Sequence, residues 1–488
     1  MTRFIHTRVI INLLFKNMND KKRILRYVLL DFLSAMIAWQ IFNIFRFHIF
    51  RDTIQYHDLT SFLFSFKALW LGVYVPVFWL ILYYFTGYYS KPRRKTNLGD
   101  LLNVGLSTLF GVLMLFFMII INDYPEAADL YYEIAITFYV IHFIFTWFFR
   151  FIQTAPLIIK QSKGRFCVPV LVVGSGENAA KVYKEFNQYH SNFAYQLKGF
   201  IRTGLVVRDA VPSEQILGDM DQLGTIIDAF NVEQLFFAID SHNPDDIQHL
   251  LNLIYKYRIP VKAFASKQDI LAGKVSMFSL FGIPLINLTP STMPVWQKNI
   301  KTFIDRFLSL LVLILLIPLF IYLAIRVRLS SKGKVFYSQE RVGKNGKTFR
   351  IYKFRTMFDD SEPDGPRLSR MDDPRVTKYG RFMRKYRLDE LPQFWNVLKG
   401  DMSLVGPRPE REYFVDLIVK KAPHYYLIQS VLPGVTSWGM VKFGYANTVE
   451  KMIKRLEYDI IYLENQSLLI DLKILIFTLK PLCSGKGQ

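Results

Sequence analysis

Cysteine is scarce in this sequence: Cys167 and Cys483 are the only two among 488 residues. Two cysteines cannot build a disulfide framework, and no cluster of cysteines and histidines has the spacing of a metal site. A cleavable signal pattern is also lacking, because the basic segment 21–26 precedes an apolar stretch that is followed by further apolar stretches. The sequence therefore excludes a disulfide-stapled scaffold and a cysteine–histidine metal centre.

Acidic residues are also in the minority, with 40 Asp and Glu against 61 Lys and Arg and a formal net charge of +21. Such an excess of positive charge is compatible with nucleic acid or with anionic lipid. Hydrophobic residues make up 51% of the chain and aromatic residues 16%, which is too apolar for an ordinary soluble protein. The basic residues flank the apolar segments, so we expect a lipid bilayer as partner and no nucleic acid.

Four apolar stretches come first, at 28–50, 68–89, 101–121 and 134–152. Each is close to the ~20 residues that cross a bilayer. The second and fourth stretches are followed by basic residues: Lys91, Arg93, Arg94, Lys95, Arg150, Lys160, Lys163 and Arg165. The loop between the third and fourth stretches has acidic residues and no Lys or Arg: Asp123, Glu126, Asp129 and Glu133. We predict a four-helix transmembrane region over 1–155 with both ends in the cytoplasm.

Residues 166–290 are predicted to form a Rossmann-like parallel-sheet domain. An apolar strand over Pro169–Val173 leads into a G-x-G-x-x-A turn, formed by Gly174, Gly176 and Ala179, that opens a helix. Later strands are expected at 197–201, 234–239 and 260–264. Arg202 stands where a dinucleotide site needs an acidic residue, which argues against NAD. Two interpretations stay open: the loop cradles another phosphate-bearing ligand, or it is a structural remnant.

A fifth apolar stretch runs from Phe303 to Ile325 and contains Pro318. Its length alone favours a transmembrane helix. However, both of its flanks are basic and favour the cytoplasm: Lys298, Lys301, Arg306, Arg326, Arg328, Lys332 and Lys334. We therefore predict a re-entrant membrane helix over 298–334, kinked at Pro318, with a simple span as the alternative.

An Asp389-Glu390 pair follows three cations and precedes Pro392. Proline in the first turn predicts a helix over Glu390–Leu398 that ends at Gly400, with the carboxylates beside its N-terminus. One interpretation is an N-cap Asp with a first-turn Glu. The other is a nucleophile and a metal ligand for phosphate chemistry, since both carboxylates lie among cations.

The surrounding motifs favour the second interpretation, because the chain from Val335 onward resembles the catalytic domain of the bacterial sugar transferases. These are the polyprenyl-phosphate hexose-1-phosphate transferases, or monotopic phosphoglycosyl transferases. The resemblance covers roughly the last 190 residues, and the upstream half is similar to the long members of the family, although less specifically. The matching stretches are QERVG at 339–343, YKFRTM at 352–357, DPRVT at 373–377, LDELPQ at 388–393, GDMSLVGPRPE at 400–410 and LPGVT at 432–436.

The resemblance implies a covalent reaction. Asp389 would attack the β-phosphate of a UDP-sugar, release UMP and hold the sugar phosphate until undecaprenyl phosphate takes it. Glu390 would bind Mg²⁺, and Arg384 would bind the lipid phosphate. Arg408, fixed between Pro407 and Pro409, would bind the uridine diphosphate. UDP-glucose or UDP-galactose is the expected donor.

Further residues match family positions with less specific roles. Arg355 and Arg375 are candidates for the phosphate site, with structural ion pairing as the equal alternative. Gln339 and Arg341 form a Gln-x-Arg motif that we also assign to substrate binding. Asp459 either completes the acidic cluster as a metal ligand or is a structural carboxylate.

The implied protein is an α/β multi-domain membrane protein whose last domain, 335–488, is a small α+β sugar transferase domain. Its place would be the bacterial inner membrane, with this domain on the cytoplasmic face, where it would initiate exopolysaccharide, capsule or O-antigen synthesis. Downstream glycosyltransferases would be its partners, and the two membrane regions would allow a homodimer.

Two other functions compete with the transferase. One is a membrane-bound nucleotide-sugar dehydratase or epimerase, which needs an acid–base pair such as Tyr-x-x-x-Lys. No tyrosine between 165 and 290 has a lysine four residues later. The other is a non-catalytic assembly scaffold in which the Asp-Glu pair is structural.

Overall fold

The computed structural model describes most of the chain. It divides the chain into two compact units, the first holding the helices before residue 167 and the second nearly all of the later residues. The described ranges are 2–49, 58–90, 97–119, 129–162, 167–188, 195–205, 208–241, 243–264, 285–289, 293–358, 365, 367–368 and 373–483. The predicted loop charges at 91–95, 123, 126, 163 and 165 lie outside them.

The first unit is a bundle of α-helices. Four of its helices contain stretches that are long and apolar enough to cross a membrane, Lys21–Ile49, Phe66–Phe85, Gly99–Met118 and Leu130–Pro156, which confirms the predicted set of spans by length and composition. A single short turn, α2, precedes the second of them. The helices are α1 (Thr2–Ile49), α2 (Leu59–Leu63), α3 (Phe66–Phe85), α4 (Asn97–Met118) and α5 (Asp129–Ser162).

A buried ion pair joins the first and last helices of this bundle. Both oxygens of Asp31 accept hydrogen bonds of 3.0 Å from the Arg150 guanidinium, which also lies 3.5 Å from the centre of the Tyr88 ring. Arg150 is only 1% exposed, so it is not the cytoplasmic flanking charge that we predicted. A charge inside an apolar bundle persists only when it is paired, and this pair ties α1 to α5.

The second unit begins with a six-stranded sheet in the order β3-β2-β1-β4-β5-β6. This order is typical of a nucleotide-binding doubly wound fold. The described pairs β1–β4, β2–β3 and β4–β5 are parallel, and β5–β6 is antiparallel. The prediction missed the two short strands β3 and β6. The strands are β1 (Val168–Val173), β2 (Tyr195–Arg202), β3 (Ile216–Asp219), β4 (Gln234–Phe237), β5 (Val261–Phe264) and β6 (Leu285–Asn287), with helices α6 (Glu177–Gln188), α7 (Leu223–Phe230) and α8 (Pro244–Tyr255).

The predicted nucleotide loop makes two described contacts with the segment after β4. Gly174 has φ +131°, and a Cβ there would lie 2.0 Å from the carbonyl oxygen of Ala238, so this glycine lets β1 and the end of β4 approach closely. At the start of α6, the Asn178 N–H donates to the Asp240 carboxylate at 2.9 Å. Gly176 begins this turn and Ala179 is fully buried. These contacts position the loop against the residues that follow β4.

Two helices bent by 65° come next, α9 (Val295–Leu315) and α10 (Ile317–Ser330), which agrees with the predicted break near Pro318. Such a bent pair is either a broken span or a re-entrant loop, and the name membrane hairpin below means α9 and α10 together. The start of α9 is tied to the C-terminal region. Lys301 Nζ donates to Asp471 at 2.6 Å and to the Val405 carbonyl at 3.1 Å, and Ser403 donates to Asp305 at 2.6 Å. The end of α10 is tied to the same region, because Arg355 donates to the carbonyls at 331 and 332.

The C-terminal region is a small α+β assembly around two short sheets. An antiparallel hairpin pairs β7 (Phe336–Val342) with β8 (Thr348–Phe354), and β9 (Ser403–Val405) pairs in parallel with β10 (Gly434–Thr436). The helices are α11 (Lys378–Lys385), α12 (Gln393–Lys399), α13 (Glu412–Lys421), α14 (Trp438–Lys442), α15 (Val449–Glu464) and α16 (Leu468–Cys483).

The predicted helix over Glu390–Leu398 is wrong at its start. Residues Leu388–Glu390 form one turn of 3₁₀ helix, and α12 begins only at Gln393, with Pro392 as its N-cap. Its end is correct, because Gly400 adopts a left-handed conformation with φ +92°. The carboxylates therefore precede the α-helix and do not sit in its first turn.

Candidate active site

A cavity of about 360 Å³ lies within the C-terminal region. Among the described residues, its wall contains three carboxylates and nine cations. The carboxylates are Asp389, Glu390 and Glu410, and the nine cations are Arg341, Lys353, Arg355, Arg367, Arg384, Arg387, Arg408, Arg411 and Arg455. Such an excess of positive charge in a concave site favours an anionic ligand with more than one charge.

The 3₁₀ turn places Asp389 on the cavity wall, with only 7% of the residue exposed. The turn is preceded by Arg387, a non-glycine residue in a left-handed conformation (φ 53°). Backbone strain of this kind costs about 1–2 kcal/mol per residue and needs support from surrounding contacts. Arg387 supplies such a contact, since its Nη1 lies 3.6 Å from Glu390 Oε2.

Glu390 is held by cations on both of its oxygens. Lys353 Nζ donates to Oε1 at 2.7 Å, and Arg408 Nη2 donates to the same oxygen at 3.3 Å. Burial alone would raise the pKa of Glu390, but Lys353, Arg408 and Arg387 lower it below its usual range. Glu390 is therefore an ionised carboxylate throughout the neutral pH range.

The pKa of Asp389 is shifted in the opposite direction, upward. Burial raises the pKa of its carboxyl above the ordinary value, against the opposing influence of Lys353, and the adjacent Glu390 raises it further. The two neighbouring carboxylates therefore differ in pKa, and such a difference between adjacent titratable groups is typical of functional sites. Asp389 is the more basic of the two and the one suited to be a nucleophile.

One end of the cavity is built on the membrane hairpin. Arg384, on α11, donates from Nε to Thr356 Oγ1 at 3.0 Å. The same helix packs on α10, because Met383 shares a buried cluster with Leu323, Val327 and Phe354. Arg384 and Arg355 therefore line the part of the cavity that faces the hairpin.

The Pro407-Arg408-Pro409 corner fixes an arginine from another side. The Pro407 carbonyl accepts from the Gly434 N–H at 2.9 Å, and the Pro409 carbonyl accepts from Arg341 Nη1 at 3.3 Å. The prolines do not line the cavity, but they hold Arg408 against Glu390. Arg408 is thus in the site, as predicted, and its neighbours are supporting residues.

The floor of the cavity is a buried row of paired charges. Glu410 accepts from Arg455 at 2.5 Å and from Arg341 at 3.4 Å, and Arg341 also donates to Gln339 at 2.7 Å. Burial alone would raise the pKa of Glu410, and Arg455 and Arg341 lower it. The predicted Gln-x-Arg pair therefore lies in the site and is held by Glu410.

Two predicted residues lie outside the cavity wall. Arg375 makes a two-pronged ion pair with Asp373, at 2.8 and 2.6 Å, which corresponds to the structural alternative. Asp459 is 2% exposed and accepts from the Gly439 N–H at 3.0 Å. Burial raises the pKa of Asp459 to about 6. Both side chains therefore have partners in the fold that do not involve the cavity.

Sequence reasoning missed several residues of the wall, among them Lys353, Arg387, Glu410 and Arg455. Lys353, Arg387 and Glu410 lie in or beside stretches that we had already singled out, and their charge in those stretches was an available signal. Arg455 lies in an ordinary helix, and no local pattern indicates its contact with Glu410, 45 residues away.

The donor set fits Mg²⁺. Within the described ranges no group of three or more His, Cys, Asp or Glu side chains could hold a metal ion. Mg²⁺, however, takes only one or two protein carboxylates and completes its shell with phosphates and water. Asp389 and Glu390 supply two adjacent carboxylates on the cavity wall, and each carboxylate has about four acceptor positions, so contacts to cations leave room for a metal.

Comparisons with known proteins match the part of the chain that contains this cavity. The sequence model of the family described as "Bacterial sugar transferase" matches residues 296–485. The chain is 40% identical over 233 residues to the UDP-N-acetylgalactosamine-undecaprenyl-phosphate N-acetylgalactosaminephosphotransferase of Aeromonas hydrophila, covering 47% of this chain and 53% of the relative. It is 33% identical over 287 residues to the UDP-glucose:undecaprenyl-phosphate glucose-1-phosphate transferase of Xanthomonas campestris pv. campestris, covering 57% and 59%.

The alignments thus span little more than half the length of these two relatives. A shorter relative, the exopolysaccharide production protein ExoY of Sinorhizobium fredii, is 38% identical over 215 residues, which is 41% of this chain and 92% of the relative. The aligned region contains nearly the whole of that shorter protein. The chain therefore belongs to the bacterial sugar transferase family.

Proposed function

We propose that this protein is a phosphoglycosyl transferase that moves hexose 1-phosphate from a UDP-sugar to undecaprenyl phosphate. The observation that carries the proposal is a buried Asp389 in a cavity whose described wall holds nine cations and three carboxylates. A diphosphate donor and a lipid phosphate both need such neutralisation, and phosphoryl transfer depends mainly on it and on alignment. The names of the relatives include glucose and N-acetylgalactosamine, so the proposal covers both sugars.

The first step forms a covalent intermediate. A carboxylate oxygen of Asp389 attacks the β-phosphorus of the UDP-sugar, a new O–P bond forms, and the bond to the bridging oxygen breaks with release of UMP. Lys353 and Arg408 hold Glu390, which keeps its charge from competing with the incoming phosphates. The remaining cations of the wall stabilise the charge that spreads over the phosphoryl oxygens.

The second step returns the enzyme to its starting state. An oxygen of the lipid phosphate attacks the same phosphorus, the bond to Asp389 breaks, and a polyprenyl diphosphate sugar leaves. Mg²⁺, held by Glu390 with Asp389, would supply charge neutralisation for the phosphates when bound. A covalent intermediate lets one small site serve a water-soluble substrate and a membrane substrate in turn.

The contacts of the membrane hairpin support a re-entrant topology with the site on the cytoplasmic side. Lys301 and Asp305, at the start of α9, contact the C-terminal region, and the carbonyls at 331 and 332, beyond the end of α10, contact it as well. Both ends of the bent pair therefore contact the same compact region. A spanning helix would separate its ends by the ~30 Å of the hydrocarbon layer.

Topology reporters are expected to place both chain termini in the cytoplasm. The basic flanks of the hairpin and the contacts of both its ends give the same orientation. A fusion to alkaline phosphatase, active only outside the cytoplasm, should be inactive at residue 488 and active within 120–128. Phosphatase activity at residue 488 would contradict the re-entrant hairpin.

Arg384→Ala is expected to raise the KM for undecaprenyl phosphate by roughly tenfold or more, and the KM for the UDP-sugar by less. Arg384 lies at the hairpin end of the cavity, where a lipid phosphate would enter, and a charge-assisted hydrogen bond contributes about 1.5–3 kcal/mol. Arg381→Ala is the matched control, since Arg381 is an exposed residue of the same helix and does not line the cavity. A larger increase in the KM for the UDP-sugar than in the KM for undecaprenyl phosphate would assign Arg384 to the donor instead.

The whole proposal is tested with purified full-length protein, undecaprenyl phosphate and Mg²⁺. UMP release is followed with UDP-glucose, UDP-galactose, UDP-N-acetylglucosamine and UDP-N-acetylgalactosamine. We expect release with one of these donors and a lipid diphosphate sugar as product, which would start a surface polysaccharide at the inner membrane. Folded protein that releases no UMP from any donor would refute the proposal.

A further inference from the structure

The cavity has two ends that belong to different parts of the fold. The end with Arg384 adjoins a buried cluster that includes Leu323 and Val327 of the membrane hairpin. The other end is formed by Phe414, Ala446 and Met452, whose cluster contains no hairpin residue within the described part of the chain. A lipid substrate stays at the membrane and enters from the first end. The second end is open to the part of the donor that arrives from water.

Tyr445 is an exposed aromatic residue at this second end. It lines the cavity with 39% of its surface exposed, next to the buried Ala446. Gly444 has φ +87°, and no atom lies within 4 Å of the position that a Cβ would take there. This glycine turns the chain so that Tyr445 follows α14 at the cavity rim. An open aromatic ring at a cation-lined rim offers an apolar face that the phosphate contacts do not use.

The ring lines the same cavity as the arginine that we assign to the donor diphosphate, since Tyr445 and Arg408 both belong to its wall. Arg408 donates to Glu390, the residue next to Asp389 in the chain. A diphosphate held by Arg408 would therefore extend its nucleoside toward Tyr445.

We propose that Tyr445 is the stacking platform for the nucleobase of the UDP-sugar and so determines the affinity for the nucleotide part of the donor. The inference rests on the proposed transferase function. Stacking on an aromatic side chain tolerates different bases, because every base has a π-face. Tyr445 thus contributes binding to the nucleotide, while the sugar is recognised by other residues.

The test uses UMP as the probe, since UMP carries the base and one phosphate but no sugar. Binding of UMP is measured by calorimetry on the purified full-length protein, together with the KM values for UDP-sugar and undecaprenyl phosphate. Tyr445→Ala should weaken UMP binding at least about fivefold, from the loss of a base–aromatic contact. Tyr445→Phe should stay within about twofold of the wild type, and Tyr445→Leu should resemble Tyr445→Ala, because only an aromatic ring offers a π-face.

The controls separate stacking from a folding defect and from a sugar contact. An unchanged KM for undecaprenyl phosphate in Tyr445→Ala shows that the site is intact. Tyr413→Ala is the matched control, because Tyr413 is an exposed tyrosine of the same region outside the cavity wall, and its UMP binding should not change.

Four results would overturn the inference. The first two are unchanged UMP binding in Tyr445→Ala and wild-type UMP binding in Tyr445→Leu. The third is weaker UDP-sugar binding with unchanged UMP binding, which would assign the ring to the sugar, and the fourth is a loss of lipid-phosphate affinity equal to that of UMP. A wild-type protein that neither binds UMP nor releases it from any donor would instead refute the proposed function itself.

Discussion

Asp389→Asn is expected to abolish turnover, lowering kcat by at least about 1,000-fold while leaving the fold intact. An amide oxygen is a poor nucleophile, so the first O–P bond would not form, and removal of a nucleophile from a covalent mechanism costs more than removal of any single charge around it. The amide has almost the same size as the carboxyl that it replaces. UMP release with the preferred donor measures the effect.

The stability of this variant separates chemistry from folding. Burial disfavours the charged form of Asp389, so a neutral amide should leave the free energy of unfolding equal or slightly higher. We therefore expect an equal or higher Tm in detergent. Near-normal transfer by folded Asp389→Asn would exclude the covalent mechanism. A lower Tm would make the kinetic result uninformative, and Asp389→Ser would then be measured instead.

The raised pKa of Asp389 also predicts the pH dependence of the first step. Only the ionised carboxylate attacks phosphorus, so the rate should be constant at neutral pH and fall as pH drops through the pKa of Asp389. Because burial raises that pKa, the fall should occur above the ordinary Asp value of about 3.9.

Lys353→Met should lower kcat by roughly 100- to 1,000-fold, the cost of losing one preorganised charge in an enclosed site. Lys353 Nζ lies 2.7 Å from Glu390 and also lowers the pKa of Asp389. Its removal should therefore move the acid limb of the pH profile to higher pH. A purely structural role for Lys353 would reduce Tm without moving that limb.

The coupling of Lys353 to Glu390 is measured by a double-mutant cycle. Lys353→Met alone leaves Glu390 with Arg408 and Arg387, and should lower the free energy of unfolding by about 1–3 kcal/mol. The double variant with Lys353→Met and Glu390→Gln should lose less free energy of unfolding than the sum of the losses in the two single variants. The reason is that Glu390→Gln removes the negative charge that Lys353 neutralises. Lys353→Arg, which keeps the charge, is the control. Additive effects would contradict the ion cluster.

The sequence was most informative where a periodic or continuous pattern extends over many residues. The four spans carry long apolar runs, and the strands near 169–173 and 234–239 carry shorter apolar runs that are bounded by polar or turn residues. β3 and β6 were missed because three or four residues are too few to show a pattern. Arg150 was misplaced because its partner Asp31 is 119 residues away.

The candidate site shows the same limit. Asp389, Glu390 and Arg408 were found because short motifs carry them, but the motif did not reveal the 3₁₀ turn, which depends on the left-handed Arg387. The pair of Lys353 with Glu390 spans 37 residues and that of Arg455 with Glu410 spans 45. Contacts of this kind arise from tertiary packing, and local sequence does not encode them separately.

The covalent intermediate is the central claim, and it is tested most directly without lipid. Purified protein is mixed with Mg²⁺ and the preferred UDP-sugar, labelled in the sugar, in the absence of undecaprenyl phosphate. We predict a burst of about one UMP per active site, with one sugar phosphate bound to Asp389 by peptide mass spectrometry and none on Asp389→Asn. UMP release that begins only when undecaprenyl phosphate is added, with no label on the protein, would contradict the account.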